Sequence, residues 1–240
     1  MDNRVTIGDA RDQQQHTGFA TVGSDYYPVL VGVFTALVII SNILATKAVA
    51  FGPVVGHLSI ITDGAFILFP LSYVVGDVLS EVYGFRATRR AIYVGFAMQS
   101  IAVLAFWVTI FMPAASFYTN QESFEAVVGA STLIVIGSLA GFVCGQTLNA
   151  WVVVAMKART KERHLWARLI GSTIVAEFAD TLVFCTFAAW AIGINTVRDF
   201  VIYVIWGWFY KSAVEAAVMP ITYRVIAHIK RREPTYRPAV

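Results

Sequence analysis

Six long apolar stretches dominate the chain, at roughly 27–51, 58–82, 90–113, 127–156, 168–194 and 199–227. Each exceeds the ~20 helical residues that cross ~30 Å of hydrocarbon at ~1.5 Å per residue. Hydrocarbon offers a backbone no hydrogen-bond partner, so a spanning segment must satisfy its own amides as a helix or join a closed barrel. The stretches are continuous rather than alternating, which selects helices. Composition agrees: 58% of residues are hydrophobic and 14% charged, where a soluble domain carries roughly a quarter charged. The expected fold is an all-α integral membrane protein with six transmembrane helices over residues 26–228. Residues 1–25 are polar, include the run Gln13–Gln15, and read as a disordered cytoplasmic tail. They lack the adjoining cationic and apolar regions of a signal peptide. Residues 229–240 read as a basic cytoplasmic tail.

Lysine and arginine set the orientation. Fifteen of the 18 basic residues fall on one side of an even-numbered bundle. They sit in the N-terminal tail, after the second span (Arg86, Arg89, Arg90), after the fourth (Lys157 to Arg168) and at the C-terminal end. The other side holds Arg198, and its loop at 114–126 carries Glu122 and Glu125 with no basic residue. Both termini are therefore expected in the cytoplasm.

Two bases, Lys47 and Lys211, fall inside the expected spans, with Asp63, Asp77, Glu177, Asp180 and Glu215, and Glu81 at a helix end. An ionisable group in hydrocarbon costs roughly 2.5 kcal/mol or more, so it faces the bundle interior and marks a pathway, a site or an ion pair. Lys47 and Asp63 fall at one level of neighbouring helices and read as a structural pair. Asp77 and Glu81, one turn apart near Arg86 and Arg89, either brace that loop or form an inner gate. Glu177 and Asp180 share a face at i, i+3, and Lys211 and Glu215 share one at i, i+4. These four fall near mid-membrane, three acids to one base. Like carboxylates in a dry site raise one another's proton affinity. The imbalance favours a binding site completed by a proton or a donor-rich ligand.

Pro70 falls near the middle of the second expected span, where it would kink the helix. Asn42 lies past the middle of the first. Trp206, Trp208, Phe209 and Tyr210 precede Lys211 and suit either stacking on a flat ligand or an interfacial belt. Gly137, Gly141 and Gly145, continued by Asn149, form a small-residue face for close helix packing within the bundle or in a homodimer. Cys144 and Cys185 lack CxxC spacing, and the four histidines are scattered, so no metal site is expected. No phosphate-binding or dinucleotide loop and no nucleophile elbow is present, so no cofactor and no enzyme activity is expected. Topology explains the basic loops better than nucleic acid does.

The segments SNILATK (41–47), FPLSYVVGDVLSEVYG (69–84), STIVAEFADTLVF (172–184) and YKSAVEAAVMPITYRVI (210–226) resemble the queuosine precursor transporter family, also described as vitamin-uptake-like transporters. The family's usual helix 2 element has Thr where this chain has Ser80. The resemblance implies import of 7-deazaguanine precursors, in the cyano or aminomethyl form, across the bacterial inner membrane. It also implies a six-helix fold reminiscent of the substrate-binding subunits of energy-coupling-factor transporters. The alternative is such a subunit for a vitamin-like heterocycle, dependent on a separate energising module. A guanine edge presents adjacent N–H donors that a carboxylate accepts in bidentate fashion. Glu177, Asp180 and Glu215 are then the expected acceptors, with Lys211 holding the site together or meeting the ring carbonyl. Asn42, Tyr73 and Asp77 are secondary candidates, and Lys47, Asp63, Glu81 and Pro70 are structural or gating residues.

Overall fold

The computed structural model describes residues 18–55, 58–66, 68–129, 132–160, 164–191 and 194–237. Helix α1 (Tyr26–Leu44) buries Phe34, Val38 and Ser41, a stripe at i, i+4 and i+7. Tyr27, Leu30, Val31 and Leu37 are partly buried against the same core, while Val29, Val33 and Ile40 face outward. Pro28 sits in the first turn, where a missing N–H costs nothing. The helix ends by tightening: the Thr46 and Lys47 amides donate to the Ile43 and Leu44 carbonyls, an i to i−3 pattern.

The chain then leaves the helical pattern that its apolarity suggested. Strands β1 (Ala48–Val55) and β2 (Leu58–Asp63) pair antiparallel, Ala48 opposite Asp63 and Phe51 opposite Ile60, with the register broken between Phe51 and Val55. Gly52 and Pro53 oppose helix here, and the surrounding β-branched and aromatic residues favour strand. The expected spans at 27–51 and 58–82 are shortened accordingly. Lys47 and Asp63 lie at the base of the hairpin rather than within helices; Lys47 is exposed, its carbonyl accepts from the Gly64 amide, and the Asp63 side chain lies outside the described set.

Helix α2 (Leu68–Phe111) has 44 residues, ~66 Å if straight and about twice the bilayer's hydrocarbon. It is broken at Gly84, at φ 79° and ψ 174°. The two arms fold back on each other, because one ring touches both. A Cβ added at Gly76 would lie 3.8 Å from the Phe34 ring, and one at Gly95 would lie 3.4 Å from it. Nineteen residues of straight helix would hold those positions ~28 Å apart. The kink expected at Pro70 is instead at Gly84. Pro70 occupies the first turn of α2, where proline is tolerated.

After the short surface helix α3 (Gln121–Val128), helices α4 (Thr132–Thr160) and α5 (Leu165–Ala191) form an antiparallel pair, and α6 (Val197–Arg232) completes the bundle. The α6 N-terminus is capped by Thr196, whose hydroxyl accepts from the Asp199 amide, and its last turn carries Lys230, Arg231 and Arg232, matching the helix dipole. The glycine stripe packs within the chain. Cβ atoms at Gly137, Gly141 and Gly145 would lie 2.9, 2.8 and 2.8 Å from Phe187 Cβ, Asp180 Oδ1 and Asp180 Cβ of α5. Of the two uses expected of that face, packing within the bundle or in a homodimer, the structure shows the first.

Tyr26–Leu44, Leu68–Phe111, Ile134–Thr160 and Leu165–Ala189 are long and apolar enough to cross a membrane. With α2 folded at Gly84 and α6 added, six helices can cross. Burial is inverted relative to a soluble protein: Ser80, Glu81, Gln146, Asn149 and Glu177 are at most 1% exposed, while Leu104, Trp151 and Phe209 are 57–61% exposed. This is a polar interior inside an apolar coat, as a bilayer requires.

The termini differ from the expected tails. Residues 1–17 of the expected 1–25 tail, and residues 238–240, lie outside the described set. Ala20 is buried and its amide donates to the Val82 carbonyl at 2.7 Å. The Thr21 amide donates to Thr235 Oγ1, and α6 runs past 228 to Arg232. A buried backbone bond at Ala20 and an exposed bond between Thr21 and Thr235 tie these segments to the bundle and to each other.

The φ and ψ of Gly84 belong to a region open essentially to glycine, and an added Cβ would also meet the Phe19 ring at 3.3 Å. Gly84→Ala should cost about 1–3 kcal/mol and lower the melting temperature in detergent. Gly32→Ala, with nothing within 4 Å of the added Cβ, should leave it unchanged or slightly raised. Equal melting of the two variants would contradict the fold-back at Gly84.

Candidate substrate-binding site

The bundle encloses a cavity of about 430 Å³, within the range typical of ligand sites. It lies between the C-terminal parts of α1 and α5 and the N-terminal parts of α2, α4 and α6. All these segments point to the hairpin end of the molecule. Asn42, Glu177, Asp180, Lys211 and Glu215, expected from the sequence, all line it. So does Pro70. Tyr73 and Asp77 do not reach the wall; both are buried behind it, 1% and 2% exposed.

Lys211 organises one side. Its Nζ donates to Asp180 Oδ2 at 2.5 Å, lies 3.8 Å from Glu177 Oε2, and sits 4.8 Å from the Phe69 ring centroid. The ammonium is thereby shared between two carboxylates and an aromatic face. Tyr73 sets its hydroxyl against Glu177. Glu215 accepts from the Thr173 hydroxyl at 2.6 Å through Oε1. Asn42 donates to the Val38 carbonyl and accepts from Ser138 Oγ, which fixes its amide. Several buried polar atoms on the wall have no hydrogen-bond partner: Ser41 Oγ, Glu177 Oε2, Thr181 Oγ1 and Glu215 Oε2. An unsatisfied buried polar group costs about 1–3 kcal/mol, so such a cluster is what a polar ligand would complete.

Aromatic rings supply the rest of the wall. Phe69, Phe142, Phe184, Tyr203 and Tyr210 line the cavity. Of the expected aromatic run only Tyr210 does so: Trp206 and Phe209 are exposed on the outer face, and Trp208 donates to the Ile174 carbonyl. Gly207 lines the cavity between them. Sequence reading missed Phe69, Phe142, Phe184 and Tyr203; Phe69 and Phe184 stand at the edges of the acidic elements and could have been found by helical phase.

The opposite end of the bundle is closed by Glu81. It is 0% exposed, and its Oε1 accepts from Arg168 at 2.8 Å and Lys230 at 2.7 Å, with Lys157 at 3.6 Å. Lys157 Nζ also donates to the Gly18 and Glu81 carbonyls and lies over the Phe19 ring. Around it the Tyr83 hydroxyl donates to Glu233 Oε2 at 2.6 Å. Burial raises the proton affinity of Glu233, but hydrogen bonds from Thr235, Tyr83 and Ser24 outweigh it and hold the carboxyl below its usual value of 4.5. What Glu233 contributes to stability is therefore present above that value and lost as pH falls below it.

No metal-binding group of His, Cys, Asp or Glu occurs among the described residues.

Residues 63–225 match the family described as "Putative vitamin uptake transporter", more than half of the chain. The chain belongs to this family. Its family is one of transporters, not of enzymes. A similar protein of Bacillus subtilis (strain 168), "Probable queuosine precursor transporter", is 32% identical over 124 residues, 51% of this chain and 54% of that protein. The match thus spans about half the length of that relative. No solved structure matches. The family match begins at the end of β2 and covers all the acidic elements of the cavity; it ends inside α6 beyond Glu215.

Glu81→Gln should leave three clustered cations facing a neutral amide. Removing one partner of a buried ion pair costs about 3–5 kcal/mol, so the variant should melt well below the parent in detergent. Glu122→Gln, on the exposed face of α3, is the control and should melt with the parent. A Glu81→Gln protein as stable as that control would show that the cation cluster does not depend on Glu81.

Proposed function

We propose that this chain imports a 7-deazaguanine precursor of queuosine, in its cyano or aminomethyl form, across a bacterial inner membrane. The observation that carries the reading is the pair of carboxylates, Glu177 and Glu215, that line an aromatic-walled cavity and each keep one buried oxygen, Oε2, without a hydrogen-bond donor. A deazaguanine edge offers adjacent ring N–H and amino donors to such acceptors, and its flat ring suits the surrounding rings. Glu177 and Glu215 are the acceptors in this reading. Asp180 and Lys211 hold each other in place, and Lys211 is close enough to the wall to meet the ring carbonyl. The aminomethyl form would add a positive charge to a site with three acids and one base. The name of the Bacillus subtilis relative supports the same substrate class.

Both termini are read as cytoplasmic, because the Glu81 end of the bundle gathers the basic ends of α4, α5 and α6. The cavity then lies toward the outside and Glu81 acts as the inner gate. The six-helix layout is read as that of the substrate-binding subunits of energy-coupling-factor transporters, working here without their ATPases.

A reporter fused after Val240 should behave as cytoplasmic, and Glu122→Cys should react with an impermeant thiol reagent added outside. Labelling from the cytoplasmic side alone would invert the topology.

Glu177→Gln and Asp180→Asn should abolish uptake of radiolabelled 7-cyano-7-deazaguanine by cells while the protein still reaches the membrane. A ligand that binds only the folded state raises its melting temperature. The cyano and aminomethyl deazaguanines should do so, guanine less, and xanthine least, because xanthine replaces the amino donor with a carbonyl. Leaving a buried acceptor unpaired costs about 1–3 kcal/mol, or up to ~100-fold in affinity. Equal stabilisation by xanthine would overturn the assignment, and no response to any purine would move the reading to a vitamin-like heterocycle and a separate energising module.

A further inference from the structure

Four buried carboxylates, Asp77, Glu177, Asp180 and Glu215, and one ammonium, Lys211, occupy the membrane interior above the Glu81 cluster. Lys211 is committed to Asp180 and Glu177. Arg168, Lys157 and Lys230 are committed to Glu81. Among the described residues, no basic side chain pairs with Asp77 or Glu215. A bare carboxylate in such a place costs several kcal/mol, so Asp77, closed off behind the cavity wall, is where a proton resides, and Glu215, on the wall, is where one can enter.

Their neighbours say what the protons can do. Asp77 faces Asn149 from α4, Glu215 from α6 and Glu81 one turn below on its own helix. Glu215 faces Thr173 and Glu177 from α5, and Asp77 and Tyr73 from α2, while Lys211 on its own helix turns away to Asp180. Asn149 Nδ2 donates to Asp77 Oδ1 at 2.8 Å, yet its Oδ1 has no donor. A proton on Asp77 provides one beside it. Glu215 Oε2 likewise has no partner, and Glu215 lines the cavity. The acids thus form a ladder from the cavity wall (Glu215) through a buried rung (Asp77) to the inner gate (Glu81).

We propose that Asp77 carries a co-transported proton, reached from the cavity through Glu215, so that uptake is proton symport. Glu215 takes a proton at Oε2, passes it to the Asp77 carboxylate and ends as the carboxylate it began. Asp77 releases it inward when Lys157, Arg168 and Lys230 part from Glu81. The substrate sits on the wall and the proton behind it, so one residue can be altered without the other. This rests on the import reading above.

The test uses the purified full chain in proteoliposomes with labelled 7-cyano-7-deazaguanine and the membrane potential clamped to zero. With the outside about one pH unit more acidic, one proton per substrate supports up to ~10-fold accumulation, abolished by a protonophore. Asp77→Asn, which mimics the protonated acid, should retain exchange of labelled for unlabelled substrate and lose accumulation. Three results each overturn the proposal: wild-type exchange without accumulation, accumulation driven by a sodium gradient instead, or wild-type accumulation by Asp77→Asn. Absence of any wild-type exchange is failure of the substrate reading. In that event infrared spectroscopy of the purified protein decides the proton site alone: a protonated-carboxyl band at neutral pH should be present and should diminish in Asp77→Asn. An unchanged band would overturn the proposal.

Discussion

One carboxylate, that of Glu81, holds together the end of the bundle at which four helices meet. It lies one turn before the break in α2 and draws Lys157 from α4, Arg168 from α5 and Lys230 from α6. None of those cations could be buried alone in a low-dielectric interior, and each finds its charge partner in the same acid. Lys157 adds a bond to the Gly18 carbonyl, and this draws in the segment before α1. In this structure the charge cluster closes this end, and the cavity lies toward the hairpin end. Ion pairing at one end and a cavity at the other give the bundle an asymmetry that a passive pore would lack.

Close packing of α4 on α5 places the cavity acids. At Gly141 a methyl group would meet Asp180 Oδ1 at 2.8 Å, and at Gly145 it would meet Asp180 Cβ at the same distance. Asp180 is therefore held against bare helix backbone, where Lys211 reaches it from α6. Gly76 plays a similar part for Gln146, whose amide oxygen would lie 2.6 Å from an added Cβ. In lipid, helices gain little by hiding apolar surface from one another, so such close approach and polar contacts between helices decide which faces meet. The polar interior follows from the small residues that allow it.

Much of this was legible in the sequence, for physical reasons. Charges inside apolar runs are rare because they are costly, so Glu177, Asp180, Lys211 and Glu215 stood out, and the structure brings all four onto one wall. The hairpin at Ala48–Asp63 was hidden, because apolar strands and apolar helices have the same composition and only Gly52 and Pro53 separated them. Pro70 misled for a related reason: its effect depends on whether it falls in a first turn or an interior one, and the helix start at Leu68 is not written in hydropathy. Gly84 closes the motif 69–84, and a glycine at that place does not by itself announce a turn. A break in φ needs a glycine, but most glycines are not breaks.

The unsatisfied atoms on the cavity wall are best explained by transport rather than by stability. A protein selected for stability alone could replace Glu215 and Thr181 with apolar residues of similar volume, as buried ion pairs elsewhere can be replaced without loss. These polar groups stand beside rings that already make a suitable apolar lining. A binding protein could satisfy them permanently with an internal donor, but a permanent donor would compete with the ligand for every acceptor. A carrier must hold its cargo and let it go, which requires acceptors that are unpaired when empty and paired when loaded. In the import reading proposed above, Glu177 Oε2 and Glu215 Oε2 are those acceptors, and Glu215 Oε1, bonded to Thr173, orients the side chain.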